Sequence, residues 1–176
     1  MFVQGRWAEA YPKVARRIAP EDHLVGNHSH FHARMPMFTG RGLRSDVQAA
    51  QAAIKRFCGT DPRPWFRCPF GAGGESPELL AGLDRLGYRE VGWSVDGHDW
   101  AHRSGPPVIE RAVRGALAHG DGAVVLFHGW PRSTPAALPE VVRQLRAAGA
   151  EFVRLDELDA LPSQHGAAPT EATTSE

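Results

Sequence analysis

The sequence predicts a single α/β domain in which short parallel strands alternate with amphipathic helices. Strand-length apolar segments and helix-length periodic segments follow one another along the chain, an order typical of parallel sheets with crossover helices. The segment Ala123–Phe127 is apolar throughout, as expected for a strand that is buried on both faces. With 176 residues, the chain has the length of one domain with one core.

Composition excludes several classes of protein. Apolar residues make up 42% and charged residues 23%, as in ordinary globular domains. Twenty Lys and Arg balance twenty Asp and Glu, so no net charge favours nucleic acid or an anionic membrane as a partner. No apolar run reaches the ~18 residues of a membrane span, and Cys58 and Cys68 are expected to be buried free thiols. The first residues lack the features of a signal peptide, so the chain as written is expected in the cytoplasm.

Helical periodicity predicts five helices. The longest repeats apolar residues every three or four positions from Leu43 and ends at Gly59. The next opens with Ser76 as N-cap and Pro77 in the first turn, and closes at Gly87. The other three are predicted at Tyr11–Ala19, Val108–Leu117 and Ala137–Leu145.

Six short segments between the helices are predicted to be strands. They are Phe2–Gln4, Leu24–Gly26, Trp65–Arg67, Val91–Val95, Ala123–Phe127 and Phe152–Leu155. Six strands fall short of an eight-stranded (β/α) barrel, which takes about 250 residues. Beyond Leu161 the sequence offers nothing to bury, so we expect a domain over residues 1–162 and a disordered tail over residues 163–176.

Polar residues follow four of the predicted strands, at the carboxyl ends where parallel α/β folds carry their chemistry. The first such segment contains His28 and His32, which one helical turn would place on the same face. Two neutral imidazoles suit zinc, although a catalytic site needs at least one more protein ligand. A solvated histidine-rich loop explains this motif equally well, and His30 between them is expected to be a bystander.

The other three segments offer an arginine, an aspartate and a histidine. Arg67 opens a glycine-rich loop that matches no phosphate-binding pattern, and a buried arginine at a strand end more often holds a carboxylate. Asp99 and His128 are expected to be neighbours across adjacent strands, as a general acid or as a structural hydrogen bond. Trp100 and Trp130 at the rim either stack on sugar rings or cap the core.

Taken in order, these motifs resemble those of the polysaccharide deacetylase family, also called the NodB homology or carbohydrate esterase family 4 domain. Residues 28–32 match its His-Ser/Thr-x-x-His motif, and residues 67–71 match Arg-x-Pro-Tyr-Gly with Phe70 at the tyrosine position. Residues 93–100 match Trp-x-x-Asp-x-x-Asp-Trp, and residues 126–128 match Leu-x-His. The resemblance covers residues 1–161, since the opening segment looks like the family's second strand and the helix after it.

The resemblance implies a distorted, incomplete (β/α) barrel that removes N- or O-acetyl groups from sugars with a divalent metal, usually zinc. It implies that His28 and His32 hold the metal and that Arg67 orients the catalytic base. His128 would then be the general acid that protonates the leaving amine, tuned by Asp99.

The resemblance also implies the residues that meet the substrate, an acetylated carbohydrate. The backbone N–H of Phe70 would stabilise the tetrahedral oxyanion, an interaction often worth ~3 kcal/mol. Because that donor belongs to the backbone, phenylalanine in the tyrosine position need not abolish it. Trp100 and Leu126 would line the pocket for the acetyl methyl group.

One motif of the family has no match in this chain. An Asp-Asp pair on the family's first strand supplies the base and the third metal ligand, and no Asp-Asp occurs here. The expectation is therefore a domain that lacks its first strand and helix, with a sheet edge prone to self-association. A segment upstream of Met1 could carry a signal peptide, which leaves the location open.

Three functions are consistent with these observations. The first is a metal-dependent deacetylase of oligosaccharides or polysaccharides. The second is a non-catalytic deacetylase-like module that binds carbohydrate, since the base and one ligand are missing. The third is an amidase of the same scaffold acting on a small non-sugar substrate.

Overall fold

The computed structural model describes residues 1–158, in which helices and short strands alternate along the chain. The chain divides into two compact units, of which the first is Met1–Gly92 and the second begins at Trp93. Within residues 1–158, no helix is both long and apolar enough to cross a membrane. The predicted tail, residues 163–176, and the domain boundary at residue 162 lie outside the described residues.

The first unit contains a four-stranded parallel sheet in the order β1-β2-β3-β4. Its strands are β1 (Phe2–Val3), β2 (Gly26–Asn27), β3 (Trp65–Phe66) and β4 (Arg89–Glu90). The register pairs Val3 with Asn27, Asn27 with Phe66, and Phe66 with Glu90. Because all four strands run in one direction, the residues that follow them emerge at one edge of this sheet.

Four helices pack on this sheet: α1 (Gly5–Ala10), α2 (Pro12–Ile18), α3 (Gly40–Cys58) and α4 (Pro77–Asp84). The predicted helix over Tyr11–Ala19 is confirmed as α2, and the sequence analysis missed α1, a separate helix that ends at Ala10. Tyr11 has φ −124° and ψ 55°, outside the helical region, as expected of a residue that precedes a proline.

The caps of α3 and α4 act as the sequence predicts. The Thr39 hydroxyl accepts the Gly42 N–H at 3.3 Å, and Gly59 ends α3 in the left-handed conformation at φ 76°. The Ser76 hydroxyl accepts the Leu79 N–H at 3.4 Å at the start of α4. Two buried clusters hold these helices on the sheet, and each contains one of the two free cysteines, Cys58 and Cys68, as expected.

The predicted strand Val91–Val95 is replaced by the ends of two different strands. Val91 N–H still bonds to the Phe66 carbonyl of the first sheet at 2.7 Å, whereas Ser94 N–H bonds to Val124 at 3.0 Å. The chain therefore changes its partner strand between these residues. Apolar character alone does not encode which strand a segment pairs with, so the change was missed.

The second unit contains the parallel pair β5 (Val95–Asp96) and β6 (Val125–Leu126), with Asp96 opposite Leu126. Its helices are α5 (Gly105–His119), α6 (Ser133–Ala147) and α7 (Leu155–Leu158). Helices α5 and α6 pack through a buried cluster that includes Val108, Ala112, Ala137 and Val141. Both helices confirm the sequence prediction.

The predicted strand Phe152–Leu155 was wrong. Residues 151–154 form no strand, and α7 begins at Leu155. Phe152 is 51% exposed and lies against the Arg146 guanidinium, 5.7 Å from the ring centre. The Glu157 carboxylate accepts the Arg154 N–H at 2.7 Å, a local bond that favours a turn into a helix over an extended strand.

Candidate active site

The two predicted metal ligands lie together after β2. The ring centres of His28 and His32 are 4.9 Å apart, edge to face. The predicted reason was wrong, because no helical turn joins them; Ser29 and His32 instead adopt left-handed backbone at φ 65° and 58°. His28 Nδ1 lies 2.8 Å from the Arg67 carbonyl oxygen, which can only accept. Nδ1 therefore carries the proton, and the lone pair of His28 resides on Nε2.

Asn27 and Ser29 fix the start and end of this segment through their side chains. The Asn27 amide donates to the Val47 carbonyl at 3.0 Å and to the Tyr88 hydroxyl at 3.2 Å. Its carbonyl oxygen accepts the Ser29 N–H at 3.0 Å, and the Ser29 hydroxyl accepts the His32 N–H at 3.1 Å. These bonds stabilise left-handed residues that otherwise cost roughly 1–2 kcal/mol each.

Sequence reasoning missed two buried residues that hold this segment, Asn27 and Asp46. The carboxylate of Asp46, on α3, accepts the backbone N–H groups of His30 and Phe31. A readable signal existed, because Asp46 is a charged residue on the apolar face of α3 beside Leu43. For Asn27 we see no such signal, since its role depends on residues far away in the sequence.

His30, predicted to be a bystander, has different surroundings from His28 and His32. It lies against α1, where a Cβ on Gly5 would come within 2.4 Å of its Nδ1. Its Nε2 lies 3.9 Å from the Glu9 carboxylate, and Nδ1 has no hydrogen-bond partner within the described part of the chain.

His28 and His32 fit two positions of a metal site. Their donor atoms are imidazole nitrogens, and the Nδ1 contact of His28 orients its ring as is typical of a metal-ligating histidine. Across residues 1–158, however, no group of three His, Cys, Asp or Glu side chains could hold an ion. His28 and His32 therefore remain two predicted ligands, and within residues 1–158 no third such side chain joins them in a group of this kind.

Arg67 is buried at the end of β3 and bonds to backbone. Its Nε and Nη2 donate to the carbonyls of Val91 and Gly92, each at 2.8 Å. Its guanidinium carbon lies 4.2 Å from the centre of the Phe2 ring. Burial lowers the pKa of Arg67 to about 10, which Glu90 partly offsets, so it remains a cation at neutral pH. These bonds tie β3 to the segment after β4; a role in orienting a base stays a prediction.

Phe70 lies beside His32 in the turn that follows Arg67. The turn spans Pro69–Gly71, and Phe70 adopts left-handed backbone at φ 59° and ψ 13°. Its ring centre is 4.7 Å from that of His32, and the Arg34 guanidinium lies 5.0 Å from the same ring. The structure therefore brings the predicted oxyanion residue next to a predicted metal ligand.

In the second unit, Asp99 and His128 form a hydrogen-bonded pair, as the sequence predicts. Asp99 Oδ1 lies 2.8 Å from His128 Nδ1, and Oδ2 accepts the His128 backbone N–H at 2.6 Å. Asp99 is completely buried. Since the carboxylate is an acceptor, His128 Nδ1 carries a proton in both charge states of the ring.

Ser133 and Thr134 also hold Asp99, and sequence reasoning missed both roles. The Thr134 hydroxyl donates to Asp99 Oδ2 at 2.5 Å, and the Ser133 hydroxyl donates to the Asp99 carbonyl at 2.7 Å. Burial alone would raise the pKa of Asp99. The bonds from the His128 N–H, Thr134 and the His128 ring outweigh burial and hold that pKa below its ordinary value.

The other predicted substrate residues of the second unit differ in exposure. Trp100 is about half exposed, and its ring lies 5.3 Å from that of His98. Leu126 is buried on β6. Trp130 is 71% exposed, with its ring centre 6.3 Å from that of His128. An exposed tryptophan beside a candidate acid favours contact with a ligand over a capping role in the core.

The chain is similar in sequence to several known proteins. Residues 1–91 match the polysaccharide deacetylase family model. The sequence is 31% identical to a chitooligosaccharide deacetylase from Azorhizobium caulinodans, over 84% of this chain and 75% of that protein. It is also 31% identical to a peptidoglycan-N-acetylglucosamine deacetylase from Listeria monocytogenes serotype 1/2a, over 89% of this chain and 32% of that protein.

The structure is also similar to solved members of the family. It aligns with a carbohydrate esterase family 4 pseudoenzyme from Bacillus anthracis at a TM-score of 0.81 and 27% identity. That alignment covers 89% of this chain and 53% of the solved chain. The chain thus spans three quarters of the length of the chitooligosaccharide deacetylase, a third of the peptidoglycan deacetylase and about half of the solved pseudoenzyme. The predicted α/β fold of the NodB type is confirmed, and the chain belongs to the polysaccharide deacetylase family, a family of hydrolytic enzymes.

Proposed function

We propose that the protein is a metal-dependent hydrolase that removes acetyl groups from N-acetylated or O-acetylated oligosaccharides or polysaccharides. The observation that carries this proposal is the Asp99–His128 pair, a buried carboxylate bonded to a partly exposed imidazole at 2.8 Å. Relatives that deacetylate chitooligosaccharide and peptidoglycan support the substrate class.

His128 is the proposed general acid. Hydrolysis of an acetamide leaves an amine that must gain a proton, and an imidazolium can donate that proton from Nε2. Asp99 keeps the His128 ring oriented through Nδ1 and stabilises its protonated form, because the lowered pKa of Asp99 keeps the carboxylate ionised. General acid catalysis of this kind contributes about 10²- to 10⁴-fold.

His28 and His32 are the proposed metal ligands, and zinc is the ion that two imidazoles suit best. When bound, such a metal polarises the acetyl carbonyl and activates a water molecule. Phe70 would donate its backbone N–H to the developing oxyanion, and Arg67 would hold the strand end that carries this turn. Trp100 and Leu126 would line the acetyl pocket.

Release of acetate tests this function. Incubation of the full-length protein and zinc with an N-acetylated chitooligosaccharide is expected to yield acetate and an equal amount of free amine. His128→Ala should abolish both products, whereas His119→Ala, on the exposed end of α5, serves as the matched control and should not. Equal product from wild type and His128→Ala would contradict the proposed acid.

A second candidate, a non-catalytic module that binds carbohydrate, has an observation in its favour. Within residues 1–158, no group of three His, Cys, Asp or Glu side chains could hold an ion, and the fold is similar to that of a solved pseudoenzyme. This candidate predicts saturable binding of acetylated oligosaccharide without acetate release. Metal-dependent turnover would exclude it.

We also infer that the protein self-associates through β1. Among the described strands, β1 lies at the edge of its sheet. Gly26 N–H bonds to the Met1 carbonyl and His28 N–H to the Val3 carbonyl, so both carbonyls face β2. The carbonyl and N–H of Phe2 face the opposite way in a parallel ladder, where a second chain could pair.

A further inference from the structure

Asp46 is a buried carboxylate that contacts the segment between the two predicted metal ligands. It lies on α3 and is 2% exposed. Its Oδ2 accepts the His30 N–H at 3.0 Å, and its Oδ1 accepts the Phe31 N–H at 3.1 Å. Within residues 1–158, no cation lies within ion-pair distance of Asp46, so these two backbone donors are its polar partners.

A buried charge without a cation is costly unless hydrogen bonds compensate it. Here both oxygens accept charge-assisted bonds from consecutive peptide groups, which fixes the planes of both peptides. A neutral, apolar residue on this face of α3 would have avoided the cost of the charge. The position of the bonds, midway between His28 and His32, points to a role in arranging those two side chains.

The whole segment is fixed by side chains. The four consecutive N–H groups of residues 29–32 donate to Asn27, Asp46, Asp46 and Ser29 in turn. Asn27 lies on β2 and Ser29 within the segment, so Asp46 is the one of these acceptors that lies on a helix. Its neighbour Val47 is completely buried in the core, which holds the carboxylate in place.

We propose that Asp46 is a positioning residue that sets the distance and orientation of the His28 and His32 imidazoles for a divalent cation. It acts through the peptide groups of His30 and Phe31 and does not touch the cation. This inference rests on the proposed function, because the cation is the metal of that site. Residues that orient metal ligands in this way typically contribute 10- to 100-fold to metal affinity.

The test is Asp46→Asn in the full-length protein. Asparagine has nearly the same shape as aspartate but offers one acceptor oxygen. Its NH₂ group would therefore face one of the two backbone N–H groups, those of His30 and Phe31, with no acceptor for it. We expect zinc affinity, measured by calorimetry well below the melting temperature, to fall about 10- to 100-fold. In the metal-free protein, we expect faster amide hydrogen exchange at His30 and Phe31, measured by NMR.

Asp61→Asn is the matched control. Asp61 is a carboxylate of the same unit that also accepts a backbone N–H, that of Arg63 at 3.1 Å, outside residues 27–32. It should leave zinc affinity and the exchange at His30 and Phe31 unchanged. If Asp46→Asn does not fold, Asp46→Glu retains the charge, displaces the acceptor by one methylene, and is subject to the same two measurements.

Each outcome decides the proposal. Unchanged zinc affinity in a folded Asp46 variant would overturn it, even if the melting temperature falls. If wild type binds no zinc, the proposed metal function fails. The positioning role of Asp46 is then decided by ring-to-ring NMR contacts between His28 and His32 in the metal-free protein. Loss of those contacts in Asp46→Asn would support positioning, and their retention would overturn it.

Discussion

Asp99 makes two hydrogen bonds to the same residue, His128: one oxygen lies 2.8 Å from the ring nitrogen Nδ1, and the other accepts the backbone N–H at 2.6 Å. The ring and the backbone of the proposed acid are thus held by one buried carboxylate. This arrangement fixes which nitrogen of His128 faces away from Asp99. That nitrogen, Nε2, is the one from which we propose a proton leaves.

Asp99→Asn is expected to reduce kcat about 10²- to 10⁴-fold with little change in KM. The amide can no longer stabilise the imidazolium, and it can present NH₂ to Nδ1, which selects the wrong tautomer. Acetate release from an N-acetylated chitooligosaccharide measures the effect. Asp121→Asn, in an exposed turn of the same unit, is the control. A kcat within twofold of wild type would show that the pair is structural.

Thr134→Val is expected to weaken the hold on Asp99 without removing it. The hydroxyl that donates to Oδ2 is lost and the side-chain shape is kept, so the pKa of Asp99 should rise toward its ordinary value. We expect a loss of about 1–3 kcal/mol in the free energy of unfolding, because a buried acceptor loses a partner.

NMR titration of the Asp99 carboxyl and urea denaturation measure these two effects of Thr134→Val. Ser104→Ala removes an exposed hydroxyl that makes no cap bond, and should change neither quantity. An unshifted Asp99 titration in Thr134→Val would contradict the assigned cause of the lowered pKa.

The stability of the protein should depend on the ionisation of Asp99 in acid. Its pKa is lower in the folded state, so the ionised carboxylate stabilises the fold above the ordinary aspartate value of ~3.9. That contribution disappears as the pH falls through the lowered folded value. The difference in unfolding free energy between wild type and Asp99→Asn should therefore be constant above about pH 5 and shrink below about pH 4. A difference that stays constant down to acid unfolding would refute the linkage.

Self-association through β1 predicts a concentration-dependent dimer. The outward-facing peptide groups of Phe2 are the proposed pairing surface. Sedimentation velocity over a range of protein concentrations measures the fraction of dimer. A second series in urea, at concentrations below the unfolding transition, checks that the dimer dissociates before the monomer unfolds. A monomer at every concentration that melts in one cooperative step would exclude this inference.

Local patterns predicted helices α2 to α6 and the proximity of Asp99 to His128. Leu43 to Gly59 carries its own periodicity and C-cap, and Asp99 and His128 follow strands that pair side by side. What the sequence did not predict depends on partners far along the chain. Thr134 bonds to a residue 35 positions away, and Asn27 bonds to Tyr88 across 61 positions. Neither position stands out by periodicity or composition.

The wrong strand predictions have a similar cause. Val91 and Ser94 belong to one apolar stretch but bond to different strands, a choice that tertiary structure makes. Phe152 and Val153 look like a strand, yet both are about half exposed. Asp46 differs from these strands, because its charge on the apolar face of α3 was visible in the sequence. Its bonds to His30 and Phe31 could not be predicted from that charge.

The central claim, that His28 and His32 form the metal centre of a hydrolase, is tested most directly by the zinc affinity of the full-length protein beside His28→Ala. Calorimetry needs no knowledge of the substrate. We predict saturable zinc binding in wild type that His28→Ala abolishes, because one of two imidazole ligands is lost. Weak binding that barely changes in His28→Ala would contradict the claim and favour the non-catalytic module.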